Sequence, residues 1–409
     1  MQGLKSNWKQ FWLLVLINAF VGSMIGLERS IIPGLADTLN VNSHTALLSF
    51  ILAFGISKAS FNLITGKISK KISRKRILIL GWLAALPVPF MLMYATSWEW
   101  VIIANLFLGI NQGLAWSATV IMKIDLVGEK DRGLAMGINE FAGYLAVGLA
   151  AFLASEIAVA KGFAFYPFIP GLFFAFGGLL LTLFFVKDTA LHVMHEAKNS
   201  TLPLYSKLWN EISYKHHNLG TVTINGFVNN LNDGVIWGLA PILLLEKNYS
   251  LSQIGMIAGI YPVVWGISQL FTGKLGDIYC KKQLISGGMI LQALGLVILI
   301  FGLSFYSSLF AAVILGFGTA LVYPNFFSVI AENTHPNQRA QGLSYFRFWR
   351  DSGYVAGALI AGLLADYLGI SAALLIIAAL TAGVGLLANV RMCCTYKVLW
   401  RSKLCTELH

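Results

Sequence analysis

Apolar stretches of about twenty residues follow one another from one end of this chain to the other, and nothing constrains its fold more. A helix of that length crosses about 30 Å of hydrocarbon, where every backbone N–H and C=O must be satisfied internally. The chain therefore reads as an all-α polytopic membrane protein. Twelve spans are expected, at about residues 11–38, 44–66, 76–96, 99–124, 132–158, 163–186, 221–246, 251–275, 283–304, 308–331, 342–366 and 369–391. The first is read as a true span: it has no small-residue cleavage site and leads directly into others.

A net charge of +11 could point to nucleic acid, but its distribution argues for a lipid bilayer instead. Of 29 Lys and Arg, 22 fall in segments on one side, two (Lys161, Lys247) on the other and five within spans. Basic residues gather on the cytoplasmic side, so both termini are expected there and no nucleic-acid partner is. Cys280, Cys393, Cys394 and Cys405 lack metal-ligand spacing and all lie on that side, where reduced thiols are the expectation. No metal or cofactor is expected. Lys187 to Gly220 is the one long polar stretch; with His192, His195, His216 and His217 it reads as a solvated or membrane-surface linker. It divides the chain into a six-helix bundle at 1–186 and a second at 221–409, with the linker at 187–220.

The two parts repeat each other. Gly66-Lys67-Ile68 with Arg74-Lys75 after span two is answered by Gly273-Lys274-Leu275 with Lys281-Lys282 after span eight. Leu108-Gly109, Trp116, Asp125 and Arg132 match Leu315-Gly316, Tyr323, Glu332 and Arg339 at one constant offset, and Gly143-Tyr144 is answered by Gly353-Tyr354. Parallel repeats about a central loop are how many secondary transporters are built.

These loops resemble the Gly-x-Leu-x-Asp-Arg-x-Gly-Arg-Arg signature of the major facilitator superfamily. The resemblance covers essentially the whole chain. It implies a monomeric transporter of a bacterial inner membrane that works by alternating access, with Gly66, Arg74, Gly273, Asp277 and Lys281 in its gating loops. Lys70 stands where the first loop's acid is expected, which shifts the latch toward Asp277, since a helix N-terminus favours anions. Asn105 stands where drug–proton antiporters usually carry an arginine, and their Gly-Pro motif in span five is missing. Both departures lower a drug-antiport reading. Gly109 to Trp116 and Tyr345 to Asp351 resemble a bacterial branch that includes magnetosome MamH-type proteins, which raises iron or iron chelates as cargo.

Charges inside the bilayer are costly, about 2.5–3.5 kcal/mol each on insertion scales, and mark function. Asn225, Asn229, Asn232 and Asp233 share one helical face and read as cavity wall. For Asp233 two readings stand, contact with cargo or a proton, and a carboxylate capped by amides. Arg347, Arg350, Asp351 and Tyr354 share a face of span eleven; the arginines form either a fork for anionic groups or ion pairs with Glu140 or Asp351. Arg29 joins the candidate substrate contacts, and Glu140 is the preferred proton carrier with Glu28 as its rival. Lys58 is a gate or a snorkelling cation. Trp116, Trp237, Tyr261, Trp265, Tyr323 and Tyr354 complete the lining.

No phosphate-cradling Gly-x-x-x-x-Gly-Lys-Ser/Thr run exists, so ATP is not the direct energy source. Nor is there a catalytic His cluster, nucleophile elbow or carboxylate pair on one span, which argues against an enzyme. The leading expectation is proton-coupled transport of a small organic anion or siderophore-like chelate; the alternative is multidrug efflux by proton antiport.

Overall fold

A computed structural model describes residues 3–29, 31–39, 44–69, 71–198, 200–394 and 397–400. Lys70 and Cys405 lie outside them. Among the described residues twelve long helices follow in order. They are α1 Trp8–Arg29, α2 His44–Ile68, α3 Arg74–Met93, α4 Trp98–Val127, α5 Arg132–Lys161 and α6 Tyr166–Phe185. Then come α7 His217–Glu246, α8 Leu251–Ile278, α9 Lys281–Phe301, α10 Phe305–Glu332, α11 Pro336–Leu368 and α12 Ile370–Arg391. The expected spans are recovered with one difference. The first helix stops at Arg29, and a separate short helix runs Ile32–Thr38.

Among the described residues ten segments are long and apolar enough to cross a membrane, and α7 and α11 are not among them. Their composition explains why. The first carries Asn225, Asn229, Asn230, Asn232 and Asp233, and the second carries Arg339, Arg347, Arg350 and Asp351, nearly all buried. Polarity here is aimed inward, at the protein.

The chain forms two compact units. One contains residues 1–128, 139–201 and 339–348; the other contains 129–138, 202–338 and 349–409. Each is held by a close glycine crossing. In the first, α1 meets α5 where a Cβ on Gly22 would overlap the Gly143 carbonyl, and one on Gly26 the Val147 carbonyl. In the second, α7 meets α11 at the same register: Gly353 lies against the Phe227 carbonyl and Gly357 against that of Leu231. Small residues let helix backbones touch and gain dispersion that lipid cannot supply. The sequence repeat of Gly143-Tyr144 in Gly353-Tyr354 thus has a packing cause. Midway along α4 the helix widens into one π-turn over Gln112–Trp116, a form concentrated at functional sites.

The linker, expected to be solvated or to lie on the membrane surface, also makes specific contacts with the helices. Its helix Ala190–Lys198 buries Val193, and the carboxylate of Glu196 takes the Arg339 guanidinium with both oxygens. Further on, Gln338 exchanges hydrogen bonds with the Tyr205 backbone at 2.9 and 2.8 Å, and Trp349 Nε1 donates to Ser213 Oγ at 2.9 Å. Partners for these side chains lie more than a hundred residues away, beyond the reach of local pattern. The cysteine expectation is corrected too. Cys280 and Cys394 form a disulfide across 114 residues, and among the described residues no cysteine is free. The chain after α12 returns along the start of α9, where Cys280 N donates to Lys397 O at 2.9 Å.

His216 caps α7, its Nδ1 accepting from the backbone N–H of Asn218 at 3.2 Å and Leu219 at 3.3 Å. Burial first, then the charges of His217 and Arg391, push its pKa down from 6.5 to about 4. Only the neutral ring can accept these bonds. A folded value below the unfolded one means stability is complete above about pH 6.5 and is lost as pH falls toward 4. Melting of the purified protein should therefore drop between pH 7.5 and pH 5, and His216→Ser, a cap that does not titrate, should flatten that drop.

Candidate functional site

At one end of each unit the conserved-looking loops of the repeat bind charges in place. In the first unit Asp125, at the end of α4, sits 3.6 Å from Arg74 and 3.8 Å from Arg339, and Thr189 Oγ1 donates to it at 2.9 Å. In the second, Lys281 pairs with Glu332 at 2.9 Å. Arg74 answers Lys281 and Asp125 answers Glu332 at the repeat offset of 207. Asp277 accepts from Gly133 N at 2.8 Å and Leu134 N at 3.0 Å, a carboxylate on the first turn of α5. Gly273 lies against the Gly133 carbonyl and Gly66 against Ser344. Lys58, half-buried, places its Nζ 5.7 Å from the Phe54 ring.

Within the second unit a buried cluster forms around Asp233. The Tyr261 hydroxyl donates to Asp233 Oδ1 and lies 3.3 Å from Thr319 Oγ1. Rings then follow in contact: Tyr261 to Trp265 at 6.0 Å, Trp265 to Tyr323 at 5.7 Å and Tyr323 to Phe327 at 5.3 Å. Arg350 stacks on Tyr323 at 4.2 Å and pairs with Asp351 at 2.9 Å. Beside Tyr261 lies an apolar cavity of about 30 Å³, lined by Ile236, Pro241, Leu244, Ile257, Leu299 and Leu315 among others.

The polar face of α7 divides. Asn229 accepts from Gln292 Nε2 at 3.0 Å, while Asn232 donates to Gln292 Oε1 at 3.1 Å and accepts from Thr381 at 2.9 Å. These amides join α7 to α9 and α12, and Asp233 alone of the stripe meets Tyr261. Arg347 is buried but belongs to the first unit, whereas Arg350 belongs to the second. The side chain of Trp237 lies outside the described residues. Tyr354 is half-buried on α11.

In the first unit Glu140 is buried, and its Oε1 accepts from Asn139 Nδ2 at 2.6 Å and Trp116 Nε1 at 3.2 Å. Trp116 also packs on Tyr144 with ring centroids 5.9 Å apart. Lys123 faces Glu140 electrostatically and donates to Leu14 O at 3.1 Å. Glu28 is buried on α1 with neither carboxyl oxygen in a hydrogen bond of good geometry among the described residues. Arg29 interacts with it electrostatically, its guanidinium 4.9 Å from Phe54 and 5.6 Å from Phe50.

Sequence reading missed Lys123, Thr319, Gln292 and Thr381. Lys123 lies seven residues after Trp116, two helical turns along the same face, and that spacing was available. The other three are single polar residues in apolar spans, whose partners only the fold supplies.

A family model described as Major Facilitator Superfamily matches residues 11–216 and 222–400. A multi-drug resistance efflux pump PmrA homolog of Lactococcus lactis is 23% identical over 376 residues, 90% of this chain and 91% of that protein. The multidrug resistance protein MdtG of Salmonella typhi is 25% identical over 395 residues, 92% and 93% of the two chains. Among solved structures, the fucose:proton symporter FucP of E. coli superposes with a TM-score of 0.76 at 14% identity, covering 93% of this chain and 98% of that one. The human organic anion transporter MFSD10 gives a TM-score of 0.75 at 16% identity, covering 93% and 99%.

Proposed function

The chain belongs to the Major Facilitator Superfamily, and from that premise we propose that it exports amphipathic organic cations in exchange for protons. It is a polytopic transporter and not an enzyme. Both termini lie in the cytoplasm of a bacterium whose inner membrane it spans, as the basic asymmetry indicates. The observation that carries the substrate class is the cluster around Asp233. Asp233 accepts the Tyr261 hydroxyl in the span region of the second unit, beside stacked rings and an apolar cavity. A carboxylate and aromatic faces both attract an organic cation. The relatives named as multidrug efflux proteins support the same choice.

The fork reading of span eleven is the less supported for Arg350, which faces Asp351 and Tyr323. The relatives reported above are named as multidrug resistance proteins, which supports the efflux reading over the narrower magnetosome likeness and iron.

For the proton, the geometry supports Glu28 over Glu140. Glu140 Oε1 takes two hydrogen bonds, from Asn139 and Trp116, and Lys123 lies opposite it. Neither oxygen of buried Glu28 takes a hydrogen bond of good geometry among the described residues, and burying a charged carboxylate in that setting is expensive. The test is binding to the purified protein, read by tryptophan fluorescence, with tetraphenylphosphonium and tetraphenylborate as probes of opposite charge. The cation should bind and weaken on acidification by up to about tenfold per pH unit, the limit for one proton against one ligand. Binding of tetraphenylborate alone would overturn the reading.

A further inference from the structure

The chain leaves α12 through Met392 and returns across the start of α9, within the second unit. There Tyr279 and Lys397 pair as a parallel bridge, Cys280 N donates to Lys397 O at 2.9 Å, and Lys397 Nζ lies 5.7 Å from the Tyr279 ring. Gln283 holds the tail further on: its Nε2 donates to Trp400 O and its Oε1 accepts from Leu399 N, each at 2.6 Å. The Cys280–Cys394 disulfide fixes this strap covalently. The same short segment, 277–283, carries two other attachments. Asp277 accepts from Gly133 N and Leu134 N on α5, and Lys281 pairs with Glu332 at the end of α10.

We infer that this disulfide is a thiol-reversible clamp on the segment that carries Asp277. The clamp rests on the cytoplasmic placement given above, since that side faces a reducing solution, where protein disulfides are usually transient and either catalytic or redox-sensing. Opening is an exchange with a small thiol. Its thiolate attacks one sulfur of the bridge and displaces the other as a thiolate, which takes up a proton. A second thiol resolves the mixed disulfide, so two small thiols leave as one disulfide and the protein gains two S–H groups. Cys280 and Cys394 are buried, so exchange awaits local opening of the tail, whose Val398, Leu399 and Trp400 are exposed. Without the bridge the tail depends on a few hydrogen bonds open to water and comes away. The 277–283 segment then loses the support that holds Asp277 against α5.

Purified protein equilibrated in oxidised or reduced glutathione, without denaturant, is alkylated, digested and read by mass spectrometry. The oxidised sample should yield a linked pair of peptides containing Cys280 and Cys394, and the reduced sample both cysteines alkylated. On reduction, hydrogen exchange should quicken at least about tenfold at 397–400 and in peptides containing Gly133 and Leu134, a modest floor for a disulfide that closes so long a loop. Cys280→Ser should exchange at the reduced rate in either buffer. A linked pair that survives reduced glutathione, no linked pair in the oxidised sample, or unchanged exchange at Gly133 and Leu134 would overturn the inference. The readout needs neither cargo nor a membrane, so failed cation exchange or a reversed topology would leave it unaltered. The wild-type comparison is one protein in two states, so it decides even where Cys280→Ser does not fold.

Discussion

Asp233→Asn should lower the affinity for a lipophilic cation at least about a hundredfold, equivalent to about 2.7 kcal/mol, while the protein still inserts and folds. The amide has nearly the same shape, and the Tyr261 hydroxyl can still donate to its oxygen. What changes is charge. With Asp233 neutral, the cluster loses one carboxylate's attraction for a cation in low dielectric. Tyr261→Phe separates charge from shape, since it removes the donor and leaves the carboxylate. Isothermal titration with tetraphenylphosphonium on wild type, Asp233→Asn and Tyr261→Phe measures both. An Asp233→Asn variant binding within twofold of wild type would mean the carboxylate is held for packing.

Gly353→Leu should prevent accumulation of folded protein. A Cβ there would overlap the carbonyl of Phe227, and backbone cannot yield as the end of a side chain can. Overpacking typically costs 1–3 kcal/mol, and here α7 and α11 would have to separate along their length, losing the Gly357 contact as well. The loss should therefore exceed about 3 kcal/mol, a large share of a marginal stability. Gly255→Ala, at a helix position with open space around it, is the control and should be neutral or stabilising by up to about 1 kcal/mol. Yield and monodispersity on size exclusion of the two variants check the contrast.

Twelve helices and the internal repeat could be read directly from the sequence, because hydrocarbon thickness and backbone satisfaction leave few alternatives. The repeat made Asp125 and Glu332, and Arg74 and Lys281, legible as matched positions, but that they pair within each unit came only from the fold. The candidate site was legible only as an inventory. Periodicity puts Asn229, Asn232 and Asp233 on one face, but it cannot say that Gln292 and Thr381 take the two amides and Tyr261 the carboxylate. Those partners lie on other helices at separations sequence spacing does not encode. The cysteines show the same limit: Cys280 and Cys394 meet only because the chain after α12 folds back along α9.

Export against a gradient is the most direct test. Purified protein in liposomes, given an outward-facing or inward-facing pH difference, should drive a fluorescent lipophilic cation away from the compartment into which protons flow, and Glu28→Gln should abolish the dependence on pH. Cation movement that ignores the imposed pH difference in the wild-type protein would contradict proton exchange, and with it the account of Asp233 and Glu28 as its two binding groups.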